Sequence, residues 1–175
     1  KADRAAAAKD PNAKKKTTWE DIKVMGGNLL SKMAKGGAMQ LRTNAEEVNK
    51  LNVFPVPDGD TGDNMRMTIE SGVAAIENVN ESSIYLMAKA LSRGMLMGAR
   101  GNSGVILSQI FRGFAEGVKD KQELVLADVA KAFESGTARA YKAVLKPVEG
   151  TMLTVIKDAS NALEKFVNAN HEASI

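Results

Sequence analysis

The stretch GVILSQIFRGFAEGV, Gly104 to Val118, decides the fold class. Its apolar residues Ile106, Ile110, Phe111, Phe114 and Val118 recur at helical spacing and form one stripe along a helix. The same rhythm extends in both directions. Downstream, a helix is expected from Val125 to Val144, interrupted by KPVEG (Lys146–Gly150). A last one follows from Thr151 to Asn168, with Leu153, Ile156, Ala159, Leu163 and Phe166 facing inward. Upstream, helices are expected over Ser83–Met97 and over Asn64–Val79, the second with Met65, Met67, Ile69, Val73 and Ile76 apolar. Before them, Trp19 opens the folded part, with Thr18 as N-cap and Asp21 three residues on. Ile22, Met25, Leu29, Leu30, Met33 and Leu41 carry the helical pattern toward Leu51. Gly36–Gly37 offers one break, and Asn44 a cap for a short helix through Val48. No run of alternating residues competes, so the expected fold is all-α, with short loops between mostly antiparallel helices. The nine methionines, at helical spacing, read as core filler.

Charge is unevenly placed. The net charge is +3, yet residues 1–17 (KADRAAAAKDPNAKKKT) carry 6 basic and 2 acidic residues, leaving 18 basic and 19 acidic beyond them. The basic character therefore belongs to a flexible tail, followed by a folded part over 18–175. The folded part has no basic stripe with interleaved aromatics, which argues against nucleic acid. No apolar stretch approaches the roughly 20 residues that span a bilayer. No segment reads as a signal peptide. With no cysteine there is neither a disulfide framework nor a thiolate metal site. A cytoplasmic protein is the expectation.

Three loops exceed what a plain bundle needs, the third of them, Pro147–Thr151, reading equally as a helix boundary. In PVPDGDTGDN (Pro55–Asn64), Asp58 and Asp60 are carboxylates two residues apart, on a loop stiffened by proline and bent by glycine. Magnesium takes one or two carboxylates and completes its shell with water and phosphate oxygens. Gly59 and Gly62 let backbone approach phosphate, while Thr61 and Asn64 add polar groups at a helix start. A calcium loop is not met, since position twelve from Asp58 is Ile69. Spacing alone leaves an ordinary Asp-Gly turn equally open. The second loop, GARGNSG (Gly98–Gly104), runs into a helix. Its free amides, with Asn102 and Ser103, suit phosphate, and a tight turn explains it as well. Arg100 reads either as a phosphate contact or as the partner of a surface acid. The lone His171, among polar residues near the chain end, reads as exposed and idle.

Together, LNVFPVPDGDTGDNM (Leu51–Met65) and GMLMGARGNSGVILSQIFRGF (Gly94–Phe114) resemble the N-terminal ATP-binding kinase domain of bacterial fatty acid kinase. That domain is similar to the nucleotide-binding L subunit of dihydroxyacetone kinase. AYKAVLKPVEGTML (Ala140–Leu153) matches too, and the likeness spans about Trp19 to Phe166. The resemblance implies an up-and-down barrel of antiparallel helices with ATP or ADP and two magnesium ions at its rim. It implies Asp58 and Asp60 as the catalytic, metal-binding aspartates, and Thr61, Gly62 and Asn64 as phosphate contacts. Asn102, Ser103 and Gly104 match the second phosphate loop, and Gly150 and Thr151 lie toward the nucleoside. Where the dihydroxyacetone branch has a further metal-binding aspartate, this chain offers Asn52. Asp63, an extra acid where other members often carry threonine, receives no metal role.

The family domain continues to a further glycine-rich segment, whereas this sequence stops at Ile175. The expectation is a domain lacking its last helices, with an incomplete site. The implied reaction is phosphoryl transfer from ATP to a fatty acid carboxylate presented by a separate binding protein. A homodimer through the full-length protein stays open. The alternatives are a dihydroxyacetone-type kinase subunit and a nucleotide-binding module without turnover.

Overall fold

The computed structural model describes residues 22–54, 56–170 and 175. Six helices follow in order: α1 (Gly27–Lys50), α2 (Thr61–Ile76), α3 (Ile84–Met97), α4 (Gly101–Gly117), α5 (Leu126–Lys142) and α6 (Met152–Ala169). Each packs on its neighbour in sequence, and α2 also lies against α4, and α1 against α3. This is the expected all-α bundle. Among the described residues the one extended contact is an antiparallel bridge between Met25 and Leu124. Thr18, Trp19, Asp21, Pro55 and His171 lie outside the described residues, as does the basic tail.

The core is built where α3 meets its neighbours. Ile76, Ile84, Met87, Leu91 and Met95 are fully buried, each contributing about 1.5–3 kcal/mol by leaving water. Met25, Met87 and Met95 fill this core, while Met33, Met39, Met67 and Met97 are exposed, so the methionines are only partly core. Small residues set the helix spacing. A Cβ on Gly94 would meet the Ser71 carbonyl oxygen, and one on Gly113 the Ser135 carbonyl oxygen. The α2–α3 and α4–α5 pairs are thus held at near-backbone distance.

Several boundaries differ from the sequence reading. α1 runs unbroken through Gly36 and Gly37, between buried Ala34 and Ala38. Asn44 sits inside the helix, its amide donating to the Gln40 carbonyl at 2.7 Å, and caps nothing. α1 starts only at Gly27, whose N–H donates to Ser82 O at 2.7 Å and whose missing side chain admits the Glu81 and Ser83 carbonyls. Both site helices begin three residues earlier than periodicity placed them, α2 at Thr61 and α4 at Gly101. Phe166, expected to face inward, is half exposed, because α6 packs chiefly against α5.

Candidate phosphate and metal site

The α2 N-terminus is fastened from inside. Asn49, in the last turn of α1, accepts hydrogen bonds through Oδ1 from the N–H groups of Gly62 (2.7 Å) and Asp63 (3.2 Å). A helix leaves its first amides without internal partners, and here a side chain from another helix takes two of them. Gly62 is required at this crossing, because any Cβ there would fall on the Ala45 carbonyl. Asp63 is fully engaged. Its Oδ2 accepts from Asn49 Nδ2 at 2.9 Å, and its Oδ1 from Arg66 at 3.2 Å. The Asn49 amide, then Arg66, hold its carboxyl below the usual carboxylate range against a smaller opposing effect of burial. Both of its carboxylate oxygens are thus taken up by protein donors.

The α4 N-terminus is built the other way. Gly101, at φ +56, and Gly104 lie against α2, where side chains would strike the Asn64 amide and Thr68 Oγ1. Thr68, fully buried, donates to Asn64 O at 2.7 Å and accepts the Arg100 N–H at 3.2 Å. Ser103 Oγ donates to the Thr61 carbonyl at 3.3 Å, joining the two loops directly. The amides of Gly101, Asn102 and Ser103 have no acceptor among the described residues. Asn102, Ser103 and Gly104 therefore belong to a helical first turn, not to a loop. Among the described residues Arg100 pairs with no surface acid; its guanidinium donates to the Ala99 carbonyl at 3.4 Å.

Between these ends, Asp58 and Asp60 are exposed and have no cationic partner among the described residues. Asp60 is the α2 N-cap residue by position, but its side chain makes no capping bond. Gly59, at φ +68, turns the chain between the two carboxylates. Asn52 donates through Nδ2 to Asp58 Oδ1 at 2.6 Å. It thus stands as a donor to the carboxylate, and its amide would have to turn over to offer oxygen to a cation. No cluster of three or more carboxylate or histidine ligands occurs among the described residues. Two unpaired carboxylates fit magnesium, which keeps water and takes phosphate oxygens, and not an all-protein cage.

A cavity of about 1560 Å³ gathers the candidates. Asn52, Asp58, Asp60, Thr61, Asn64, Asn102, Ser103, Gly150 and Thr151 all line it. Gly62 and Gly104 do not; they are packing glycines beneath it. The third loop reaches the cavity because it is held at one carboxylate. Glu149 accepts from Thr154 (2.6 Å), Lys157 (2.7 Å) and Tyr141 (3.2 Å). Lys157, then Thr154, pull its carboxyl below the usual range, and Glu149 in turn raises Lys157. Gly150, at φ +78, completes this turn, and Thr151 caps α6 through Leu153 N at 3.3 Å. Asn49 and Thr68, which tie down the two helix starts, were not singled out from the sequence. Asn49 carries no local signal, since it acts 13 residues away.

A family profile described as the DAK2 domain matches residues 55–175. The chain belongs to the DAK2 domain family. It is 51% identical over 154 residues to the protein YloV of Bacillus subtilis, covering 88% of this chain and 28% of that one. It is 50% identical over 147 residues to an uncharacterized protein of Staphylococcus epidermidis, covering 84% and 27%. An uncharacterized protein of Staphylococcus haemolyticus is 52% identical over 141 residues, covering 81% and 26%. The chain thus spans about a quarter of the length of these relatives. Membership places it in a kinase-related family, with a domain like the L subunit of dihydroxyacetone kinase. No helix among the described residues is long and apolar enough to cross a membrane.

Proposed function

We propose that this DAK2 domain binds ATP with magnesium and transfers the terminal phosphoryl group to a fatty acid carboxylate presented by a separate protein. The observation that carries the reading is the Ser103–Thr61 bond, which joins the two loops where Asp58 and Asp60, without a cationic partner among the described residues, share one cavity with α4 amides that have no acceptor among them. Lys146 is the only cationic side chain among the described lining residues. A triphosphate there needs its charge met by metal and by N–H groups. Asp58 and Asp60 would hold magnesium, which when bound neutralises phosphate charge as the bond to the leaving ADP breaks. Gly101, Asn102 and Ser103 would orient phosphate oxygens through their amides. The acceptor carboxylate is already an anionic nucleophile, so the transfer needs no general base. Among the described residues, no histidine and no side-chain carboxylate beyond Asp58 and Asp60 lines the cavity.

The test is calorimetry of MgATP with the chain, followed by a transfer assay on fatty acid with its carrier protein present. Asp58→Asn is expected to weaken magnesium-dependent ATP binding at least tenfold. Unchanged binding and transfer in that variant would end the assignment.

A further inference from the structure

We propose that Asn49 is the positioning residue of the metal loop, fixing where Asp58 and Asp60 stand without touching the ligand; this rests on the magnesium–nucleotide reading above. Asn49 grips both ends of the loop. Its backbone carbonyl accepts the Asn52 N–H at 3.1 Å, and Asn52 in turn donates to Asp58 at 2.6 Å. Its side-chain oxygen accepts from Gly62 and Asp63, immediately beyond Asp60. The segment between has little else to hold it, since Leu51, Val53, Phe54 and Val56 are all largely exposed.

Only an amide satisfies this position. The oxygen must accept two backbone N–H groups, while the nitrogen must donate to the Asp63 carboxylate at 2.9 Å. The change Asn49→Asp keeps the acceptor and turns the donor into a second carboxylate facing Asp63. Exchanging the two residues restores the bond with its polarity reversed. The carboxylate moved to position 49 would accept from the backbone and from the amide moved to position 63, at unchanged net charge.

Calorimetry with MgATP, and with ATP in the presence of EDTA, tests this on the 175-residue chain, with circular dichroism following the fold. Asn49→Asp is expected to weaken MgATP binding at least tenfold and metal-free ATP binding by less than twofold. A merely structural role would lower both alike. The double variant, Asn49→Asp with Asp63→Asn, is expected to recover most of the MgATP affinity. If Asn49→Asp unfolds, Asn49→Ser, which keeps a shorter acceptor, replaces it in the same comparison with the same expected loss. A wild-type chain that binds no MgATP sinks the nucleotide reading and this proposal with it. A wild type that binds, beside an indifferent Asn49 variant or a double variant that is folded yet as weak as the single one, sinks this proposal alone.

Discussion

The first turns of α2 and α4 lie side by side at one cavity, yet the protein treats them in opposite ways. At α2, Asn49 occupies the amides of Gly62 and Asp63, and Asp63 adds a carboxylate to the first turn. At α4 the first turn has no acid, and three amides stay without a protein acceptor among the described residues. Helix N-termini attract anions by geometry and dipole, but an end already capped has little left to offer. The α2 end is suited to carrying carboxylates toward a cation, and the α4 end to receiving phosphate oxygens. Identical backbone features become complementary through one side chain.

The sharpest way to break this comparison is at its two glycines. Gly62→Ala drives a methyl into the Ala45 carbonyl and is expected to cost about 3 kcal/mol of stability, measured by urea denaturation. Gly101→Ala places a side chain at φ +56 beside the Asn64 amide. Its expected stability loss is smaller, about 1.5 kcal/mol, but it should lower MgATP affinity at least tenfold by turning the free amides. Equal effects of the two variants on stability and on affinity would dissolve the distinction between a closed end and an open one.

The smallest effect concerns pH. Asp63 has a depressed pKa, caused first by Asn49 and then by Arg66. Its contribution to stability is therefore complete above the ordinary aspartate value of about 4 and is lost as pH falls through the lower folded value. Carbon-13 titration of the Asp63 carboxyl should show a low midpoint that rises in Arg66→Ala. The α4 end, without an acid, should show no corresponding transition.

The sequence made the helices legible because each carries an apolar stripe wide enough to read, as at Ile106–Val118. It left the helix starts uncertain for a physical reason. Thr61–Gly62–Asp63 and Gly101–Asn102–Ser103 have the composition of turns, and become helical only through groups from elsewhere in the fold. Asn49 supplies two acceptor contacts at α2, and the α2 residues Asn64 and Thr68 receive the glycines of α4. The residues singled out from the loops are brought together, since Asp58, Asp60, Asn102, Ser103 and Thr151 share one lining. That Gly62 and Gly104 serve packing could not be read from glycine alone, because close approach to a ligand and to another helix ask for the same missing side chain. Asn49 was unreadable in principle, as nothing in VNK (Val48–Lys50) distinguishes it from a surface asparagine.

The glycine contacts of α4 have a kinetic consequence. Gly104 rests on Thr68 of α2, and Gly113 on the Ser135 carbonyl of α5, so α4 is seated on a neighbour along both flanks. A helix wedged in this way cannot slide along its axis or roll without a collision at one glycine or the other. Its three amides without an acceptor among the described residues consequently keep one fixed aim. An anion entering the cavity meets donors that need no rearrangement, and its association should be limited by encounter and desolvation instead of by a slow conformational step.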